Sequence, residues 1–313
     1  MANPDAPQVG LKPDLRTAIG RTPLVEVQAI REVAPHTRLV AKLESVNPGG
    51  SIKDRPVARM LHRGLAAGRL AGGRRLLDSS SGNAGISYAM LGAALGVPVT
   101  LVVPGNASAE RLERIRAYGA ELILTDPVEG YDHALREARR LAEAHPERYW
   151  YCDQYSNPDN WRAHYEDTAG ELLTQLAAFT PRLPDALVLG VGTGGTLTGM
   201  GRRLRELRRD LVILAVIPET FPGIEGLKPL GTPEDIVPAI LDEKLIDERL
   251  TVSLEDAVAM CRRLAREGLF VGPSSGAFVH GACHLAARRR LETVVTVLPD
   301  GGERYVSTGM WAR

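Results

Sequence analysis

Only three cysteines occur in the 313 residues: Cys152, Cys261 and Cys283. They are odd in number and widely spaced, so no disulfide framework, CxxC redox pair or Cys/His zinc spacing is expected. A reducing, cytoplasmic compartment fits that usage. Aromatic residues are few, at 5%. Charge of one sign is not in excess either. Thirty-eight basic side chains balance 38 acidic ones, so nothing calls for nucleic acid or an anionic membrane as partner. The basic clusters 202–209 and 288–290 lie among Leu and Ala at helical spacing, which reads as solvated helix faces. A long apolar run is also missing. The most apolar stretch, 89–104, is broken by Gly92, Gly96 and Pro98 and is too short to span a bilayer. The opening Met-Ala-Asn-Pro-Asp has no basic-then-apolar pattern, so no signal peptide is expected.

Short apolar runs alternate with longer helical ones. This predicts an α/β architecture with mostly parallel sheets. Strands are expected at 39–43, 75–78, 97–103, 121–125, 186–191, 212–217 and 294–298. Helices are expected at 53–69, 83–95, 108–118 with Ser108 as cap, 131–144, 165–176, from 195 to about 207, 253–267 and 275–289. The polar, proline-containing stretch 149–160 reads as a boundary. Residues 218–242, rich in Pro and Gly, read as a long loop, a feature that often carries function.

Four motifs carry chemistry. The first is Asn47-Pro-Gly-Gly-Ser-Ile-Lys-Asp-Arg55. A lone lysine is ordinarily surface charge. Lys53, however, is the only lysine between Lys42 and Lys228 in an arginine-rich chain, and it stands at a helix start. An amine that forms a Schiff base must reach its neutral state, helped by desolvation or positive potential, and arginine cannot do so. The second is Gly190-Val-Gly-Thr-Gly-Gly-Thr196, between strand and helix. A tight turn needs one or two glycines; four in six positions suit backbone N–H groups converging on a phosphate. No Gly-Lys-Ser/Thr follows, which disfavours a P-loop, and no GxGxxG unit with a downstream acid supports a dinucleotide site. The third is Ser79-Ser-Ser-Gly-Asn-Ala-Gly85. It suits a carboxylate, although alone it reads as a polar helix cap. The fourth, Gly272-Pro-Ser-Ser-Gly276, is weak in isolation, since either serine could cap the next helix.

In this order and at these separations, the motifs resemble the cysteine synthase and cystathionine β-synthase family of fold-type-II pyridoxal-phosphate enzymes. The likeness runs from Ile19-Gly-Arg-Thr-Pro-Leu24 to Gly302-Glu-Arg-Tyr-Val-Ser-Thr308 and is strongest to B-type O-acetylserine sulfhydrylases. It implies two domains, a larger one of 1–44 plus 156–313 and a smaller, mobile one of 45–155. It implies pyridoxal 5'-phosphate as cofactor, no metal, and a homodimer. By the same resemblance Lys53 carries the cofactor and takes the Cα proton, and Asn83 bonds the cofactor's 3' oxygen. Gly192, Thr193, Gly194, Gly195 and Thr196 hold its phosphate. Ser274, or Ser275 one residue on, faces the ring nitrogen. Ser80, Ser81, Asn83 and Gln154 hold the substrate carboxylate.

The implied activity is β-replacement on an activated serine with sulfide or another sulfur donor to give cysteine. Ala84 stands where the family's Ser-Gly-Asn-Thr-Gly loop has threonine, removing one substrate-facing hydroxyl. O-phosphoserine use calls for an arginine near the site mouth, and the 218–231 loop offers only Lys228, so an acetyl ester is favoured. Cystathionine-forming and 2,3-diaminopropionate-forming β-replacement share the frame. From other classes, the rivals are a cofactor-bearing relative that works by binding a partner such as serine acetyltransferase, and a nicotinamide dehydrogenase.

Overall fold

A computed structural model of the chain describes residues 15–230 and 236–312. The leading residues, and the 231–235 part of the long loop, lie outside the described residues. Ten strands occur among those described: β1 Leu24–Val27, β2 Arg38–Leu43, β3 Arg75–Ser79, β4 Val99–Pro104, β5 Glu121–Thr125, β6 Tyr149–Tyr151, β7 Ala186–Gly190, β8 Val212–Pro218, β9 Glu248–Val252 and β10 Thr293–Leu298. They form two sheets, a six-stranded one in the order β1-β2-β10-β7-β8-β9 and a four-stranded one in the order β5-β4-β3-β6. Only the β1–β2 pair is antiparallel; the others are parallel, as in β10 beside β2 and β7 and β3 beside β4 and β6. The expected α/β class with parallel sheets is therefore what the chain adopts.

Parallel strands joined by crossover helices are covered on both faces, so they read as continuous apolar runs rather than alternations. β4 (Val-Thr-Leu-Val-Val-Pro) and β10 (Thr-Val-Val-Thr-Val-Leu) are buried at every position. The helix Asn83–Leu95 is buried from Ala84 to Gly92 because it is apolar all round. One large core packs against the six-stranded sheet, and a second fills the space around Met60, Tyr88 and Leu101 beside the other sheet.

The stretch 149–160 is not merely a polar boundary. It opens with β6, whose Tyr-Trp-Tyr is too short to show alternation, and its end starts a helix at Pro158. Asn157 caps that helix by accepting from the Asp159 N–H at 3.0 Å, with proline at the first position, where its missing N–H costs nothing. The helix thus begins seven residues before Tyr165 and passes through a π-helical segment, His164–Thr168, before Ala169–Ala177. β1 and β9 carry no signal strong enough to be read in advance; they are the two edges of the large sheet. Edge strands are half-exposed and short. Ser108 stands at the cap position of Ala109–Ala117 without a capping bond. The helix expected from Ser275 starts instead at Pro273 with Gly272 at its cap, so neither Ser274 nor Ser275 is a cap.

A buried ionic network ties the start of the helix Asp54–Ala66 to the large sheet. The Arg55 guanidinium donates to both oxygens of Glu44, at 2.7 and 2.9 Å, and to both oxygens of Glu171, each at 2.8 Å. Lys42 Nζ donates to Glu171 at 2.7 Å. The side chains of Arg55 and Glu44 are 2% and 0% exposed. Removing one partner of such a pair strands the other charge away from water, at about 3–5 kcal/mol. Glu44→Ala is expected to lose stability of that order in urea titration. Burial pushes the Glu171 carboxyl up, but the bonds from Arg55 and Lys42 outweigh it and bring the group down to about 2 from 4.5. A depressed acid stabilises the fold fully above the higher value and loses that contribution as pH falls through the lower. Parent and Glu171→Gln unfolding curves should therefore differ at neutral pH and converge between about pH 4.5 and 2.

Candidate active site

One cavity of about 560 Å³ opens where the C-terminal ends of β3, β6, β7 and β10 face one another. This is the edge at which open α/β sheets bind ligands. Every residue singled out above, Ser275 apart, lines it: Lys53, Ser80, Ser81, Asn83, Gln154, Gly192 to Thr196 and Ser274. Residues far apart in sequence are thus brought to one place by the strand order alone.

Lys53 immediately precedes the helix Asp54–Ala66 and faces the cavity. Burial lowers its pKa below the usual lysine range, while the charge of Asp300 pulls the other way. The desolvation counted on for a Schiff-base amine is therefore present.

The 190–196 segment leaves β7 and enters the helix Gly195–Leu207. Gly194 has φ +81°, a left-handed conformation that disfavours side chains. A Cβ on Gly192 would come within 2.5 Å of the Gly226 carbonyl oxygen, and one on Gly195 within 2.0 Å of Asn160 Oδ1. Only backbone can fill these positions, and it does so at the N-terminus of a thirteen-residue helix. Such a cradle fits a phosphate. Around it, Asn160 Nδ2 donates to Thr193 Oγ1 at 3.1 Å, and Thr196 Oγ1 lies 3.3 Å from His164 Nε2. Burial holds the His164 imidazole well below its ordinary pKa, with Lys53 and Arg55 adding to the effect, so it is neutral.

The 79–83 loop is held from beneath. Asp78 accepts from the Ser79 N–H at 2.7 Å, the Tyr88 hydroxyl at 2.6 Å and the Gln154 N–H at 3.2 Å. Burial pushes this carboxyl up to about 7 despite those bonds. Gln154 Nε2 and the Tyr131 hydroxyl both donate to the Ser79 carbonyl, at 3.0 and 2.6 Å. Ser274 faces the cavity from the first turn of the helix Pro273–Arg288. Ser275 is fully buried, and its Oγ has no hydrogen-bond partner among the described residues.

The sequence assigned no role to Asp78, His164, Tyr131 and, most of all, Asp300. Asp300 lies in Pro299-Asp-Gly-Gly302, which looks like an ordinary turn. The available signal was its place directly after the last strand, at the ligand-binding edge of the sheet. The three cysteines are free and buried. No group of His, Cys, Asp and Glu suited to a metal ion is present among the described residues. No helix among them is long and apolar enough to cross a membrane.

The pattern of the pyridoxal-phosphate-dependent enzyme family matches residues 15–300, and the chain belongs to that family. Within it, the chain falls in the cysteine synthase class. It is 42% identical to the cysteine synthase of Aquifex aeolicus (strain VF5), over 98% of this chain and 95% of that protein. Among solved structures, the cysteine synthase of Entamoeba histolytica superposes with a TM-score of 0.88 at 31% identity, covering 100% of this chain and 94% of the other. The O-ureido-L-serine synthase superposes with a TM-score of 0.85 at 37% identity, covering 95% and 94%. Pyridoxal phosphate is accordingly the cofactor, and the lysine and glycine cradle fit its aldehyde and phosphate.

Gly195→Ala is expected to weaken cofactor retention by roughly tenfold or more, about 1.4 kcal/mol, since the added methyl collides with Asn160. Equilibrium dialysis against pyridoxal phosphate would measure this. Gly170→Ala, with open space at its Cβ, should leave retention unchanged.

Proposed function

We propose that this enzyme replaces the β-substituent of O-acetylserine with sulfide to form cysteine, with Lys53 as the catalytic residue. The observation that carries the reading is the meeting, in one cavity, of a desolvated lysine with a glycine cradle at a helix N-terminus. When bound through the amine, pyridoxal phosphate supplies the electron sink that acidifies the amino acid's Cα–H and lets a β-substituent depart. The chain's own groups do the rest. Lys53 Nζ holds the cofactor and takes the Cα proton. The N–H groups of Gly192, Thr193, Gly194, Gly195 and Thr196, with the two threonine hydroxyls, hold the phosphate. Ser274 offers a hydroxyl rather than a carboxylate to the ring nitrogen. It therefore does not protonate that nitrogen, and elimination is favoured over racemisation. Asn83 bonds the ring's 3' oxygen, and with Ser80, Ser81 and Gln154 it orients the substrate carboxylate. A smaller domain of residues 45–155, closing on a larger one of 1–44 plus 156–313, would exclude water.

The choice of an acetyl over a phosphate leaving group rests on charge. The cavity wall carries Glu129, Asp132 and Glu225. Its Lys228 ammonium is engaged by Asp132 at 2.9 Å, and Arg111 by Glu225. A phosphate dianion would meet carboxylates there, and the one lysine of that wall besides Lys53 is already paired with Asp132. A second reading, β-replacement with a nucleophile other than sulfide, is favoured by Ala84 in the cavity lining and by the likeness to O-ureido-L-serine synthase. A cytoplasmic homodimer, with serine acetyltransferase as a candidate partner, completes the proposal and rests on the family resemblance.

Lys53→Ala should lower β-replacement by about three orders of magnitude or more, as expected for loss of an essential nucleophile and base, with unfolding curves near the parent's. Turnover within tenfold of the parent would remove Lys53 from its role. Offered O-acetylserine, O-phosphoserine and serine in turn with sulfide, the parent should make cysteine fastest from the acetyl ester. Faster use of O-phosphoserine would overturn the leaving-group assignment.

A further inference from the structure

Asp300 is a carboxylate that the proposed chemistry has not used. It leaves the end of β10 and is 1% exposed, yet it lines the cavity. Four parts of the site meet at this one residue. Its backbone forms an antiparallel bridge with Ser51, two residues before Lys53. Its Oδ2 accepts from Asn83 Nδ2 at 2.7 Å and from the Tyr305 hydroxyl at 2.8 Å. Its Oδ1 is buried with no hydrogen-bond partner among the described residues. That oxygen lies 2.2 Å from where a Cβ on Gly272 would stand, against the N-terminus of the helix that carries Ser274.

Two consequences follow from this geometry. The Asn83 carboxamide is gripped at both ends, because Arg304 Nη1 donates to its Oδ1 at 2.9 Å. The amide cannot flip without losing both bonds. One N–H is committed to Asp300 and its second N–H is left for a ligand oxygen. The other consequence concerns charge. A buried oxygen without a partner costs about 1–3 kcal/mol, so a carboxylate here is a poor choice for stability alone. It is a good choice where a neighbouring amine must gain a proton during the reaction. A fixed anion then stabilises the ammonium with no reorganisation.

We propose that Asp300 is a positioning residue of the active site, fixing the Asn83 carboxamide and acting as the counter-charge to the Lys53 amine. This rests on the reading of Lys53 as the cofactor-bearing base. The groups facing Asp300 are Lys53 and Asn83 at the cavity, Arg304 and Tyr305 of the 302–308 segment, Arg111 of the helix Ala109–Ala117, and Cys261 of the helix Leu254–Arg266. Those facing Lys53 are Asp300 and His164. Burial raises the Asp300 pKa above its ordinary value, and the bonds from Asn83 and Tyr305 and the charges of Arg304 and Arg111 offset that only in part.

The test uses the holoenzyme and its Asp300→Asn variant, which keeps the shape and removes the charge. Expected are retained cofactor and a kcat at least tenfold lower with KM changed less than threefold. The pH midpoint of the cofactor's visible absorbance should move down by about one unit, since loss of an anion favours the unprotonated amine. Asp300→Glu should recover part of the midpoint shift. A midpoint and kcat like the parent's, or a lower Tm with an unmoved midpoint, would overturn the proposal. Should Asp300→Asn fail to fold, Tyr305→Phe takes one hydrogen bond from the same oxygen. The acid limb of the kcat profile should then move to higher pH, and an unmoved limb would count against the assignment. Borohydride reduction of the parent separates the two readings. Cofactor mass absent from the Lys53 peptide would sink the reading of Lys53, and the Asp300 assignment with it. Mass present there, with Asp300→Asn like the parent, would sink the Asp300 assignment alone.

Discussion

The site depends on a guanidinium with nowhere else to go. Arg55 is taken out of water between Glu44, just beyond β2, and Glu171, on the helix Ala169–Ala177. A desolvated arginine tolerates no drift, because each bond lost leaves charge unpaired in a medium of low dielectric. Asp54 beside it accepts from the Gly49 N–H and the Ser87 hydroxyl, which ties the same turn to the helix Asn83–Leu95. With both following residues anchored, the backbone of Lys53 is fixed at the edge of the cavity. The amine proposed to carry the cofactor is thus set at the cavity by its charged neighbours.

The same economy recurs around the cavity. Groups that touch the ligand space are held by buried groups that do not. Asp78 underpins Ser79 and Gln154, Asn160 steadies Thr193, and Arg304 with Asp300 steadies Asn83. Such supporting shells keep a binding constellation within a fraction of an ångström of its working geometry. They also account for the many buried polar residues among otherwise apolar cores. Each of these bonds offsets a desolvation cost that would otherwise weigh against the fold.

Strands buried on both faces, a helix apolar all round and long amphipathic helices declared themselves in the sequence, because their burial demands uninterrupted apolar runs or a clean helical period. β7, β8 and β10 and the helices Asn83–Leu95 and Gly195–Leu207 lie close to where composition placed them. Of the four edges, only β5, with its Leu-Ile-Leu run, declared itself. β1, β6 and β9 are three to five residues long and half-exposed, so they need not be apolar and leave little pattern. The start of Pro273–Arg288 was misjudged for a different reason. Proline is an ordinary first residue of a helix, and with Gly272 as the cap the two serines fell inside the first turn.

What the sequence determined alone was the chemical inventory: a lone lysine behind a glycine turn, glycines too dense for a simple turn, and hydroxyl-rich loops at strand ends. Those features are local, since a backbone that must approach a phosphate excludes side chains wherever the chain later goes. The tertiary structure decided which of those groups meet, and what charge each carries. Asp300 is a turn residue by local pattern, and it becomes the partner of Asn83 only because β10 lies between β2 and β7 in the large sheet. The lowered pKa of Lys53 is likewise a property of burial. Burial is set by long-range packing, which no stretch of neighbouring residues contains.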